Sequence, residues 1–422
     1  MAARESMASA DAAWLNIDRP KNTADVVVVL TFSEPLGHAA LRRLVERRLL
    51  AHDRFRQRPV ANGVLGGATW ETDPRFSLER HLLRQRLSGR GRDALQGFVG
   101  QIATEPLDPL HPLWRFHLVE GWNGGSAVVA KLHHCIADGF ALVALLLSMA
   151  DEPPDGAGPV RKPPAARELS IWERPAEALP FATSLARMAA LWPDPPTALA
   201  RPLSGRRRVA WSRGLSLERV KRAARARGVT VNDVLMASLA GALRSYLAST
   251  GTAVDRTRLR ALVPVNLRPP GEPDGVLGNR FGLVFLDLPV HLRSAPARLE
   301  AIRARMNELK RSPDAVVSFA VLAAMGYSPR VVEHALASFF ASKASLVVTN
   351  VQGPREPLRL AGKRIDQLMF WVPHPVNLGL GVSILSYAGQ VRVGVRADEA
   401  VVPDPARLLS AFQSAVAELR AP

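Results

Sequence analysis

The stretch His133-His134-Cys135-Ile136-Ala137-Asp138-Gly139 gathers two imidazoles, a thiol and a carboxylate within a few residues. Imidazole titrates near neutral pH, so a histidine here is a candidate general base. Residues 126–134 are rich in β-branched and apolar side chains and read as a strand, and residues 139–149 read as a buried helix. A side chain on the turn between two such elements is held firmly and can still face a cleft. Neighbouring side chains of an extended segment point to opposite faces, so only one of His133 and His134 can serve a given cleft. Asp138, just ahead of the helix, is placed to cap free N–H groups or to pair with a distant arginine. Gly139 permits close approach of backbone or substrate. Cys135 is either a nucleophile activated by His134 or a small buried residue, and the second reading is the simpler. An arbitrary His-His pair is more often core than catalytic; the full spacing in a strand–turn–helix context favours catalysis.

The HHxxxDG spacing resembles the active-site signature of the CoA-dependent acyltransferase superfamily, which includes chloramphenicol acetyltransferase-like enzymes and peptide-synthetase condensation domains. Other segments narrow the resemblance. Asp11-Ala-Ala-Trp-Leu15, Asp18-Arg-Pro20, Pro112-Leu113-Trp114, Asn232-Asp233 and Val263-Pro-Val-Asn-Leu-Arg268 are five of them. Gly278-Asn-Arg-Phe281, Thr349-Asn-Val-Gln-Gly-Pro354 and Ser386-Tyr-Ala-Gly389 complete the set. Together they resemble the bacterial wax ester synthase/diacylglycerol acyltransferase family over nearly the whole chain.

The resemblance implies an α/β fold: two chloramphenicol acetyltransferase-like domains packed around a central cleft. It also implies transfer of a long-chain acyl group from acyl-CoA to a lipid alcohol, either diacylglycerol or a fatty alcohol. His134 would take the hydroxyl proton, with His133 and Asp138 beside it in the motif. Asn232 would present an amide to the reacting acyl group. Gly139, Asp233, Arg268 and Pro112-Leu113-Trp114 would support the site, with Arg268 the candidate partner of Asp138. Thioesters are reactive enough that no covalent enzyme intermediate is required. Gln352 stands where the family often carries proline, and Asn266 where a small hydroxyl residue is frequent; both departures bear on the acceptor. Two alternatives stay open: a natural-product acyltransferase with a carrier-bound donor, and a non-catalytic homologue that binds lipid or acyl-CoA.

At 422 residues the chain exceeds the size at which one core stops growing. Two domains are expected, at 1–150 and 209–422, joined by a proline-rich crossover linker at 151–208. One cysteine excludes an intrachain disulfide and argues against a disulfide-stapled secreted scaffold. The formal charge of +17 comes mostly from arginine, yet no nucleic-acid module is recognisable. CoA phosphates and anionic lipid suit that charge better. Arg206-Arg207-Arg208 leads into a helix capped by Ser216 and stopped by Gly228, on which Arg222, Arg225 and Arg227 are candidate CoA or membrane contacts. A solvated basic face is the plainer reading of the same residues. Charged residues interrupt the N-terminus before any apolar run, and the longest such run, 140–147, is far short of the roughly 20 residues that span a bilayer. A cytoplasmic protein is expected, peripheral to the inner membrane or lipid inclusions. No metal spacing, glycine-rich phosphate loop or GxSxG elbow occurs, so acyl-CoA is expected as substrate and no cofactor is implied.

Elsewhere, 24–32 reads as a buried strand and 36–52 as an amphipathic helix. Asn123-Gly124-Gly125 between 114–120 and 126–134 signals a hairpin whose second arm carries the motif. Residues 181–192 have a helical apolar face. In the second half, helices are expected at 231–247, 296–310 and 405–419, and strands at 263–267, 283–290, 345–350, 382–387 and 391–395. Gly379 and Gly381 are candidates for lining the acceptor side of the cleft.

Overall fold

Asp25–Phe32 carries apolar side chains on both faces, and such a strand is stable only where both faces are covered. All eight of its residues are buried. The computed structural model, which describes residues 4–63, 67–87, 89, 91–152, 175–268, 277–374 and 376–419, places it inside a five-stranded sheet. The spatial order is Gln367–Trp371, Asp25–Phe32, Gly125–His133, Trp114–Trp122 and Leu82–Gln85, antiparallel except for the last pair. The hairpin forms as expected. Asn123 (φ 50°) and Gly124 (φ 81°) both adopt the left-handed conformation that a two-residue turn between twisted strands requires. Gly125–His133 is buried throughout and ends on the motif, so the turn that follows stands on a fully packed strand.

A second sheet runs Phe281–Leu288, Leu259–Asn266, Leu346–Gln352, Leu380–Tyr387, Gln390–Asp398, Arg207–Trp211, and Leu215–Ser216 also pairs with Gln390–Asp398. A separate apolar core lies between it and helices Val231–Ser249, Ala295–Arg311 and Pro405–Glu418. The strands and helices expected in this half all form, most of them longer by a few residues. In the first half, the expected helix at 36–52 is α-helical over His38–Leu44 and continues as a π-helical turn, Val45–Leu49. Helices Ser9–Ile17, Gly91–Thr104, Asp314–Met325 and Arg330–Ala341 form in addition to the expected elements. Pro153, Pro154, Pro159, Pro163 and Pro164 of the expected linker lie outside the described residues; its described part includes helix Pro175–Ala190.

The expected linear boundary is corrected in one respect. Gln367–Trp371, deep in the second half, joins the first sheet and pairs with Asp25–Phe32. The two halves therefore share a sheet, and neither 1–150 nor 209–422 is complete alone. Buried charge reinforces the same seam. Arg207 Nη1 lies 2.7 Å from Asp398 Oδ2, and Arg207 Nη2 donates to Asn22 Oδ1 at 2.8 Å. Burial alone would raise the Asp398 carboxyl, but N–H groups of Ser204, Gly205 and Ala400 outweigh it and hold it below its ordinary range. Arg396 donates to the Asp25 carbonyl at 2.6 Å, and Lys131 Nζ lies 2.9 Å from the Asp25 carboxylate.

Arg207→Met is expected to destabilise the fold by about 3–5 kcal/mol, because it leaves the buried Asp398 charge without its cation. The urea midpoint measures this; an unchanged midpoint means the Arg207–Asp398 pair adds nothing to stability.

Candidate active site

The strand ends at His133, and the two imidazoles part there as side-chain alternation requires. His133 is held inside: its N–H donates to the Leu113 carbonyl (2.9 Å) and its Nδ1 accepts from the Cys135 N–H (3.1 Å). Its Nε2 lies 3.5 Å from Asp18 Oδ2. His134 faces a pocket. Its backbone is pinned on both sides, by N–H donation to the Ala24 carbonyl (2.8 Å) and by the Asn279 amide donating to its own carbonyl (2.8 Å). Asn279 is in turn fixed by Asp11, whose Oδ1 accepts from the Asn279 backbone (2.9 Å) and side-chain amide (2.7 Å).

The His134 ring lies 4.2 Å from Trp14 and 5.5 Å from Phe281, centroid to centroid. This apolar enclosure decides its charge. Burial pushes the imidazole down to about 4, and the nearby Asp138 carboxylate, which pulls the other way, does not prevail. His134 is therefore neutral at physiological pH, the state a general base must occupy before it accepts a proton.

Asp138 is committed to three donors from the fold. Its Oδ1 caps helix Gly139–Ser148 by accepting from the Ala141 N–H at 2.8 Å. Its Oδ2 accepts from Arg268 Nη1 at 2.8 Å and from the Arg280 N–H at 3.0 Å. Arg268 also donates to the Gly278 carbonyl at 2.9 Å. Cys135 is buried, and burial pushes its thiol up, away from the thiolate a nucleophile needs.

The pocket before His134 draws on both halves of the chain: Trp14, Asp138, Gly139, Leu262, Phe281, Val347, Thr349, Val351 and Val372 are among its walls. A second, almost wholly apolar chamber adjoins it and shares Trp14, Leu262 and Leu283 with it. Met188, Phe285, Leu322, Met325 and Phe340 line its far side.

Several expected residues lie elsewhere. Asn232 does not reach His134: its Oδ1 accepts from Asn350 Nδ2 at 2.8 Å. Asn350 points to the opposite face of its strand from Thr349, so this amide pair sits behind the pocket wall. Asp233 caps its own helix in a reciprocal box with Thr230. Gly379 and Gly381 are close-packing positions that line neither chamber. A Cβ on Gly381 would sit 2.3 Å from His374 Nε2, and one on Gly379 2.5 Å from Val401 Cγ2. Pro112-Leu113-Trp114 leads into the first arm of the hairpin, where the Leu113 carbonyl accepts from the His133 N–H and Trp114 Nε1 donates to the Phe55 carbonyl at 2.9 Å. Arg222 and Arg225 are exposed on helix Leu217–Ala226, Arg225 pairing with Glu218 at 2.5 Å, and Arg227 is half-buried at its end. No cluster of metal-ligating side chains occurs among the described residues.

Asp11, Trp14, Asn279, Phe281 and Thr349 surround His134, yet no spacing rule joins them to it. Each falls in a segment that carries the family resemblance, which is the only signal that pointed their way.

A capped, arginine-bound aspartate beside a neutral imidazole, set between these two sheets, defines an acyltransferase of the CoA-dependent superfamily. Residues 7–189 and 171–235 match the wax ester synthase/diacylglycerol acyltransferase catalytic domain, and 277–420 match the WS/DGAT C-terminal domain. A probable diacylglycerol O-acyltransferase of Mycobacterium tuberculosis is 30% identical over 446 residues, covering 97% of both chains. The wax ester synthase/diacylglycerol acyltransferase from Marinobacter aquaeolei VT8 superposes with a TM-score of 0.73 at 26% identity, covering 98% of each chain. The first condensation domain of the calcium-dependent antibiotic synthetase shares the fold, with a TM-score of 0.65 at 19% identity over 99% of this chain and 96% of that one. The chain belongs to the wax ester synthase/diacylglycerol acyltransferase family.

Because His134 protonates only near pH 4, the acid limb of kcat/KM is expected between about pH 4 and 5. An unperturbed imidazole would place it near 6.5. Asp138→Asn should lower the melting temperature and kcat together, since an amide has one acceptor oxygen and cannot serve both the Ala141 N–H and the pair formed by Arg268 and the Arg280 N–H. Normal melting with complete inactivity would instead assign Asp138 a direct part in proton transfer.

Proposed function

We propose that this acyltransferase moves a long-chain acyl group from acyl-CoA to a lipid alcohol, diacylglycerol or a fatty alcohol, with His134 as general base. The observation that carries the reading is the position of a neutral, aromatic-walled His134 where a small reaction pocket opens against an apolar chamber. A chain-like substrate can lodge its tail in that chamber while its head reaches the imidazole. Two chloramphenicol acetyltransferase-like lobes facing across this pocket suit two bulky substrates that approach one base from different sides. His134 takes the hydroxyl proton as the alcohol oxygen attacks the thioester carbon, then returns it to the departing thiolate. The acceptor classes come from the names of the relatives.

The enzyme is proposed to work at the cytoplasmic face of the inner membrane or on lipid inclusions, drawing its acceptor from that surface. No described helix is long and apolar enough to cross a membrane. Exposed Arg222 and Arg225, with Arg227, would then meet anionic lipid or CoA phosphates.

Purified protein should release free thiol from palmitoyl-CoA when hexadecanol or dioleoylglycerol is present, and less with short alcohols. No release with either long acceptor sinks the substrate assignment. His134→Ala should cost roughly 10²–10⁴-fold in kcat, while His133→Ala keeps measurable activity; the reverse pattern moves the base to His133. Replacing Arg222, Arg225 and Arg227 by glutamine should weaken pelleting with anionic liposomes or raise the palmitoyl-CoA KM, most visibly at low salt. Unchanged values for both leave a solvated helix face.

A further inference from the structure

The side chains of Gln390–Asp398 that face the first sheet change character along the strand. Arg396 donates to the Asp25 carbonyl, at the end of the seam nearest His133. Gly394 makes room for the borrowed strand: a Cβ there would stand 2.5 Å from Trp371 Nε1 and 2.6 Å from Met369 Cε. Arg392 follows on the same face, at the Gln367 end of that strand. Its Nε is buried and has no hydrogen-bond partner.

Two more guanidinium groups meet it there. The Ser212 N–H donates to the Val393 carbonyl at 2.8 Å, which sets Arg213 opposite Arg392. Arg92 Nη1 donates to the Trp211 carbonyl at 3.3 Å. Among the described residues no carboxylate forms an ion pair with any of the three. Burial, and then Arg213, disfavours the charge on Arg92; burial, and then Arg92, disfavours that on Arg392. Arg92 and Arg213 line an open cleft of about 520 Å³, with Asp93, Trp122, Asn123 and Gln367 among its other walls. Helix Gly91–Thr104 begins at this cleft, and the first N–H groups of a helix lack intrahelical acceptors. Asp93 is the one carboxylate among the described lining residues, against three cations.

We propose that this cleft is a second binding site, for a phosphate monoester, held by Arg92, Arg213, Arg392 and the start of helix Gly91–Thr104. Guanidinium groups match phosphate oxygens in pairs, and a dianion relieves the mutual repulsion of the three cations. The site is separate from the reaction pocket. The hairpin turn stands at one end of Gly125–His133 and the motif at the other, roughly 26 Å apart at about 3.3 Å per residue. Arg92 belongs to the first half of the chain and Arg213 and Arg392 to the second, so bound phosphate ties the halves together at the end of the seam away from His134.

Isothermal titration of the full chain with inorganic phosphate at fixed ionic strength reads the site without turnover, so its failure leaves the acyl-transfer reading untouched. Wild type should bind phosphate and melt higher as its concentration rises. Arg392→Met keeps the apolar stem and drops the charge, and Arg213→Gln changes an exposed side chain, where folding is not at stake. Each should weaken phosphate binding roughly tenfold or more. Arg43→Gln combined with Arg47→Gln, two exposed positions elsewhere, should leave it unchanged. Pelleting with phosphatidate vesicles against phosphatidylcholine vesicles separates the sources of the phosphate. Loss of phosphatidate pelleting in Arg392→Met identifies a lipid headgroup, and unchanged pelleting identifies a soluble phosphate monoester. No binding by wild type, equal binding by Arg392→Met and Arg213→Gln, or an equal loss in the Arg43→Gln, Arg47→Gln control overturns the proposal. So does a palmitoyl-CoA KM that rises in step with the phosphate Kd, because the cleft is then part of the donor site.

Discussion

The Asp138 carboxylate joins what the rest of the site depends on. One oxygen starts the helix that follows the motif, and the other binds Arg268 and the Arg280 N–H from the second half of the chain. A carboxylate with this many donors tolerates burial that an isolated one would not. The loop carrying His134 is thereby clamped against the segment carrying Asn279 and Phe281, two of the residues that surround the imidazole. The ion pair is structural in its contacts and catalytic only in its consequence. It sets where the base sits relative to walls drawn from both halves.

The price of enclosing His134 between aromatic rings is basicity. An imidazole pushed down to about 4 is a weaker proton acceptor than one in water, but it is neutral in nearly every molecule at physiological pH. For a thioester the exchange is favourable, since the acyl group is already activated and the attacking hydroxyl needs only a nearby acceptor for its proton. The same enclosure keeps water, a competing nucleophile, away from the imidazole. The almost wholly apolar chamber beside His134 serves both ends, because its lining suits aliphatic groups and offers little that would solvate a charge.

What was legible in the sequence was local. Asn123-Gly124 needs left-handed backbone at both residues, so the hairpin could be read from two positions. Ser216, three residues before the N–H it caps, announces a helix start by a short-range hydrogen bond. The Asp138 turn belongs to the same class, and its pairing with Arg268 followed from the family resemblance. What depends on distant packing was not legible. Gln367–Trp371 carries no mark of its partner Asp25–Phe32, and a short apolar strand ahead of Pro373 would suit many edges. Gly379 and Gly381 have the composition of a roomy pocket wall, yet His374 and Val401 occupy the space their missing side chains leave. Asn232 has the right chemistry for an oxyanion donor, but the side of the strand on which Asn350 meets it is set by the sheet.

That last point explains how the reaction pocket is divided between the halves. Strand parity turns Thr349 toward His134 and Asn350 away from it, and a one-residue slip in Leu346–Gln352 would exchange them. Register here is secured by parallel pairing on both sides, with Leu259–Asn266 and Leu380–Tyr387. Leu380–Tyr387 lies against Gln390–Asp398, whose Arg396 and Asp398 form the buried seam with Asp25 and Arg207. The seam, the register and the pocket are thus one connected constraint. The first half holds His134 through Asp138, the second half aligns the opposite wall through its sheet, and the borrowed strand Gln367–Trp371 keeps the two in a fixed relation.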